Sequence, residues 1–408
     1  MNRTIIAAIA TAVSTSAHAV PLTFQGALDR AAASAPSLAA RALQARAARS
    51  VARAAGRLPN PQATLDFQDF PVTGPVAGDP GREDFSEVRV GVTRDIPALA
   101  KRRAARERAR AEVGTAEAGG LVEARNVRVA VALAWIDLHT ARAKLAALSD
   151  VERGIAPIAA TAPARVANGA LRPGEATAPA RLGAELEDRR AGLTAEAARA
   201  RAQLARWTGD PAPEIAGAPP SPAADPAQLR AAIDTVPVLA AYQAQSAVAD
   251  ADVGLALANR HSDLSWRLSY ARRDPRFGDL VAAGVSIGLP FFTRTRQNAA
   301  IEARGQDVAR VLAEREAARR ELAATLDGEL ADHAMHHERL ENARARLVPL
   351  AERRAALERA SYAAGRATLG DAFEATLALA EARLDLIDRE AAVTRDAVRL
   401  NLTYGDAR

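Results

Sequence analysis

A two-faced strand that feeds a very long helix is written twice in this sequence, and no other feature restricts the fold as much. "GVTRDIPALAKRR" at 91–103 opens an Ala- and Arg-rich run that meets no proline until Pro157, and "GVSIGLPFFTRTR" at 284–296 opens another that meets none until Pro349. Three further pairs keep the same order: "SAPSLAA" (34–40) with "TVPVLAA" (235–241), "GALRPGE" (169–175) with "GRATLGD" (365–371), and "LARWTGD" (204–210) with "LNLTYGD" (400–406). The members of each pair lie 193 to 201 residues apart, too regular a series for compositional bias, so the chain is a duplication. The repeats occupy 20–208 and 228–405, joined by a Pro-rich linker at 209–227. Each reads helix, strand, loop, strand, long helix, turn, helix.

The strands expected at 62–70, 85–97, 263–272 and 280–290 alternate in polarity. Ala63, Leu65 and Phe67 alternate with Thr64, Asp66 and Gln68, and Val88, Val90 and Val92 alternate with Glu87, Arg89 and Gly91. Leu264, Trp266, Leu268 and Tyr270 alternate with Ser265, Arg267 and Ser269, while Val281, Ala283, Val285, Ile287 and Leu289 alternate with small or polar residues. A period of two describes strands with one apolar and one wet face. Eight of the fifteen aromatic residues fall within 62–97 and 263–292, among them Trp266, Tyr270, Phe291 and Phe292, as expected of side chains at a membrane interface. Four strands cannot close a membrane barrel, which begins at about eight, and an open sheet edge is not tolerated in lipid. Several copies must then share one barrel, and a three-fold assembly supplies twelve strands. The competing reading is a soluble periplasmic coiled-coil interaction protein without a barrel. Its sheet would need a cover, whereas the rest of the chain reads as polar-striped rods.

The long helices expected at 98–168 and 291–364 would each reach about 105 Å at about 1.5 Å per residue. Shorter helices are expected at 24–56, 175–206, 228–258 and 371–402. Alanine dominates and aromatics make up only 4%, which suits closely approaching helices rather than a thick aromatic core. The net charge of +5 is almost all arginine, with acidic residues interleaved, which describes solvated helix faces. No basic tail or aromatic-studded patch stands apart, so nucleic acid is not an expected partner. Residues 1–19 read as an export signal, with Arg3, an apolar stretch from Ile5 to Val13, and Ala17-His18-Ala19 as the cleavage site. The absence of cysteine excludes disulfides, thiolate metal sites and a lipid-bearing cysteine. Past Val13 no run approaches the roughly 18 apolar residues of a spanning helix, so membrane entry would be by strands. With no HExxH, GxSxG, Walker or GxGxxG pattern, neither catalysis nor a cofactor is expected.

Together these features resemble the TolC-type outer membrane efflux proteins, and within them most closely the CzcC-type heavy-metal branch. The resemblance covers roughly 20–405. It is carried by "LTFQGALDRAAASAPSLAA", "GRLPNPQATLDF", "GVTRDIPALAKRRAARERARAEV", "SYAAGRATLGDAFEA" and "LNLTYG"; "PNP" and "KRRAARERA" point to the branch, and "RPGE" in the first turn departs from the pattern. The resemblance implies an α+β membrane protein, a homotrimer whose twelve-stranded outer-membrane β-barrel continues into a long periplasmic α-helical barrel. It implies contact with outer-membrane lipid and a passive exit duct, reached by an inner-membrane RND-type pump through a periplasmic adaptor (membrane fusion) protein. Heavy-metal cations are the expected cargo, with drugs or proteins as the alternative.

Gly169, Leu171 and Gly174 in the first turn, and Gly365, Leu369 and Gly370 in the second, join antiparallel helices. Their glycines permit positive φ, and the leucines are expected to stand exposed as apolar anchors. The resemblance makes these turns adaptor contacts; a plain helix reversal is the alternative. Glu175, Asp371 and Glu374 follow the turns. Repeated around a three-fold axis they would ring the pore entrance as a gate, whereas Asp371-x-x-Glu374 also fits a helix capping box. His333, His336 and His337, beside Met335, share one helix face, where they either ligate a soft or borderline metal or face solvent. The basic run Lys101, Arg102, Arg103, Arg106, Arg108 and Arg110, echoed by Arg294 and Arg296, would meet phospholipid head groups or form a solvated face. His139 beside Trp135 reads as packing.

Overall fold

A computed structural model describes residues 21–405 apart from Ala170 and Pro290; the side chains of Ile158, Pro173, Thr293 and Arg294 are likewise not described. The export signal expected at 1–19 lies outside the described residues. In chain order the elements are α1 (Phe24–Ser34), α2 (Pro36–Ala54), β1 (Gln62–Gln68), β2 (Glu87–Ile96), α3 (Leu99–Ala167), α4 (Ala178–Thr208), α5 (Pro226–Ala232), α6 (Pro237–Ala258), β3 (Leu264–Arg272), β4 (Leu280–Ile287), α7 (Asn298–Asn342), α8 (Val348–Ala363) and α9 (Leu369–Tyr404). The chain divides into two compact units, each drawing on both repeats. A helical unit takes the chain up to Ala35, Val127–Asp225 and Glu329–Leu402; a sheet-bearing unit takes Pro36–Asn126, Pro226–Gly328 and the residues from Thr403. The divisions fall between α1 and α2, inside α3 and α7, within the linker after Asp225, and near the end of α9.

Prolines set several boundaries. A proline ring pushes the preceding residue out of the α region, and Ala35, at φ −64° and ψ 120°, splits the helix expected at 24–56 into α1 and α2. One repeat later Val236 does the same at φ −60° and ψ 132°, just ahead of α6. α3 runs unbroken through Pro157 and Pro163. Its counterpart, expected as one helix at 291–364, instead carries π turns at Thr293–Gln297, ahead of α7, and at Ala343–Leu347, between α7 and α8. Pro349 accounts for the second, because it offers no N–H and its ring crowds the carbonyl four residues back. The Val348 amide closes onto Ala343 O, five residues back, and the helix goes on.

In the sheet-bearing unit the strands form one antiparallel meander, β1-β2-β3-β4. Leu65 faces Val90, Phe67 faces Val88, Val90 faces Tyr270, Val92 faces Leu268, Trp266 faces Val285 and Tyr270 faces Val281. Directly paired residues share a face, so the separate apolar stripes merge into one apolar surface. Asp66, Arg89, Ser269 and Ala282 belong to the other side. Asp263, just ahead of β3, accepts from the Ala98 amide at 2.9 Å and pairs with Lys101 Nζ at 2.7 Å, which fixes the start of α3 to the sheet.

The helical unit buries Trp135 of α3 completely. Its Nε1 donates to Leu22 O at 3.0 Å, Phe24 meets its ring edge-on at 5.7 Å, and His139 stacks on it at 5.4 Å. Leu22 pairs in parallel with the Pro-rich linker: its amide donates to Glu214 O at 2.6 Å and its carbonyl accepts from Ala216 at 3.1 Å. A second cluster gathers Leu148 and Ile155 of α3, Leu182 and Leu186 of α4, and Phe373 and Leu384 of α9. Among the described residues no helix is long and apolar enough to cross a membrane.

Candidate functional site

The apolar face of the sheet is uncovered. Val281 and Val285 are each 72% exposed, and Leu65, Phe67, Val90, Leu268 and Tyr270 are exposed with them. Trp266 is half-buried on the same face, and Phe291 and Phe292 follow β4 in the open. Among the described residues neither β1 nor β4 has a strand on its outer edge. Soluble proteins rarely leave a contiguous apolar face and two strand edges open. The basic run beside the sheet is largely committed within the protein: Lys101 to Asp263, Arg102 to the Gly56 carbonyl, and Arg108 to Asp252 and Glu112.

In the helical unit the two turns have one construction. Gly169 (φ 69°) and Gly365 (φ 71°) supply the left-handed residue. The Gly169 amide donates to Val166 O and that of Gly365 to Tyr362 O, both at 3.0 Å. Leu171 N–H reaches Arg165 O at 3.1 Å, and Ala367 N–H reaches Ser361 O at 3.3 Å. Each corresponding pair is 196 residues apart. The expectation of exposed leucines is corrected: Leu171 is 6% exposed and Leu369 0%, both within the cluster around Phe373. The turns bring their helices so close that the leucines fill the gap between them. Polar groups are presented outward instead, Arg172 and Arg366 among them, with Gly174 exposed and Gly370 half-buried. Arg165 of α3 lies 4.3 Å over the Tyr362 ring of α8 and links the two turns.

Two of the three carboxylates, Asp371 and Glu175, cap helix starts, and the box at α9 is Thr368–Asp371, three residues earlier than the Asp371–Glu374 box expected. Thr368 N–H donates to Asp371 Oδ2 at 2.9 Å, and Asp371 N–H donates to Thr368 Oγ1 at 3.2 Å. The Thr368 hydroxyl, then its amide, hold the Asp371 carboxyl below the usual carboxylate range. In the first turn the Arg172 amide donates to Glu175 Oε2 at 3.4 Å; an arginine side chain cannot return the bond. Glu374 stands exposed, 3.9 Å from Arg354.

The histidines separate. His336 Nδ1 sits 2.6 Å from Asp396 Oδ2, His333 is half-buried, and His337 is exposed. Among the described residues no group of three or more His, Asp or Glu is arranged to hold a metal ion. Sequence reasoning missed Lys144, which is buried between α3, α4 and α9 with Nζ 2.8 Å from Glu196 and 2.9 Å from Asp388. Burial favours its neutral form, but the two carboxylates outweigh that and raise its pKa. The available signal was a lysine on the face of α3 that also carries Ala141 and Leu148.

Residues 229–406 match the sequence profile of the outer membrane efflux protein family. The matched region holds the second turn, β3, β4, Trp266 and Tyr270; the first turn, with the same backbone geometry, precedes it. No curated relative matches the sequence. The fold is similar to that of CusC, a protein whose crystal structures concern folding and transmembrane channel formation, with 15% identity, 95% of this chain and 93% of that one covered, and a TM-score of 0.79. It is also similar to the outer membrane protein VceC of Vibrio cholerae, at 18% identity, 94% and 96% coverage and TM-score 0.74. The outer membrane channel MtrE of Neisseria gonorrhoeae gives 16%, 94% and 88%, and 0.74. At these identities the likeness establishes the fold alone.

Proposed function

We propose that the chain is the outer-membrane channel of an efflux system, in which three copies join their four-stranded sheets into one twelve-stranded barrel. The observation that carries this reading is the sheet, whose apolar face is exposed and whose two edge strands lack outer neighbours. Lipid accepts such a face but not such edges, so β1 of one copy pairs with β4 of the next. The channel is a passive duct, fed by an inner-membrane RND-type pump through a periplasmic adaptor. The adaptor meets the paired turns through groups such as Arg172 and Arg366 rather than through leucines. The CzcC-type resemblance of "PNP" and "KRRAARERA" supports heavy-metal cations as cargo.

Expressed in a Gram-negative host, the protein is expected in the outer-membrane fraction, released only by detergent as a particle of three chains. The chain has no cysteine, so a cysteine in β1 and another in β4 should crosslink between copies and not within one. A monomer stable in plain buffer overturns the reading. A deletion strain should lose tolerance to one or more of cobalt, zinc, nickel and copper; unchanged metal tolerance with lost tolerance to dyes assigns the duct to drugs instead.

A further inference from the structure

One histidine of the cluster is built into a charge network between helices. Asp396 of α9 has a side chain only 7% exposed; one of its oxygens meets His336 Nδ1 of α7 at 2.6 Å, and the other accepts from Arg399 Nη2 at 2.7 Å. Arg399 Nε lies 3.7 Å from Glu329 Oε1, back on α7. Two carboxylates therefore share one guanidinium, and the network carries a net negative charge as long as His336 is neutral. A proton on His336 cancels it and turns a hydrogen bond onto an ionised carboxylate into an ion pair.

Three charged or titratable side chains neighbour this network. His333, one turn back on α7, is half-buried with Nδ1 unpartnered; burial, and then His337 and His336, keep its pKa low against the pull of Asp396. Arg395, beside Asp396 on α9, is held by Asp137 of α3 at 2.6 Å, and His337 is exposed. Apolar contact joins α8 and α9 through a small cluster of Ala351, Ala355, Ala375 and Leu379, and Tyr362 of α8 lies in the larger cluster with Phe373 of α9. Polar ties add to this contact on the same side of α9. Arg344–Glu390 and Arg383–Glu352 are arginine–carboxylate pairs, which do not switch near neutral pH.

We propose that His336 and Asp396 form a proton-operated clasp, which fixes α7 against α9 when His336 is protonated and loosens when it is neutral. The clasp resists any movement of α7 away from α9. Its effect on transport rests on the channel reading: conduction that needs this movement falls at acid pH.

The test compares wild type with His336→Gln, which keeps a neutral hydrogen-bonding side chain, and with Asp396→Asn. In detergent, the amount by which the wild-type Tm exceeds that of His336→Gln should be larger at about pH 5.5 than at about pH 7.5, across the histidine range. In planar bilayers wild-type conductance should drop over the same interval, while both variants respond less. A Tm difference that is the same at both pH values overturns the clasp, as does a wild-type conductance profile shared by His336→Gln. Absence of conductance in every protein at either pH counts against the channel reading, and the melting comparison then decides the clasp by itself.

Discussion

Thr368 and Asp371 cap the start of α9 reciprocally, each donating its backbone N–H to the other's side chain. Thr368→Ala should cost about 1 kcal/mol of stability at neutral pH. Because the folded state holds the Asp371 pKa down, the cap contributes above the ordinary carboxylate range and is lost as pH falls through and below about 4. Melting of wild type and Asp371→Asn across that range should show the difference closing in acid. Arg172→Thr in the first turn would supply the missing hydroxyl and should raise Tm.

Lys144 bridges Glu196 and Asp388 from a buried position. Lys144→Met leaves two carboxylates facing each other, and since both are partly exposed the expected loss is about 1–3 kcal/mol. Adding Glu196→Gln and Asp388→Asn should recover part of it. The raised lysine pKa means that the contribution is complete below about pH 10 and fades as pH rises through the folded value. Chemical denaturation at two alkaline pH values checks the sign.

Neighbouring faces of β4 offer a direct contrast. Val285 lies in the apolar surface opposite Trp266, and Ala282 lies on the other side opposite Ser269. On the channel reading, Val285→Arg places a charge toward lipid and should cost about 2–4 kcal/mol near the midplane of the band, seen as lost outer-membrane recovery. Ala282→Arg should assemble normally and alter conductance.

His333 is the acid-sensitive member of its cluster. Burial favours the neutral imidazole, so the unfolded chain binds its proton more readily and stability falls as pH drops through about 6.5. His333→Leu should flatten that part of the Tm-versus-pH curve while leaving the difference between wild type and His336→Gln in place.

The strands were readable to within three residues at each end, because an apolar residue at every second position can serve only one face of a sheet. That face then assembled across β1 to β4 as the alternation required. The breaks at Ala35 and Val236 were present in the quoted "SAPSLAA" and "TVPVLAA", where the residue before proline must leave the helix. Burial of Leu171 and Leu369 was not readable, since a glycine-rich turn resembles a solvated tip until α3, α4 and α9 are seen to converge on it. The partners of Lys144 and His336 lie 52 to 244 residues away in sequence, and no local pattern announces them.

The π turns at Thr293–Gln297 and Ala343–Leu347 bear on how the duplicate could drift in length. The "GVTRDIP" and "GVSIGLP" landmarks lie 193 residues apart and the turn glycines 196 apart, so the second copy holds three more residues over this interval. Each π turn takes one additional residue into a helical coil, which absorbs two of the three as local bulges. Insertions that would have rotated every later side chain about the helix axis are thereby quarantined, and both halves still end on the same hairpin.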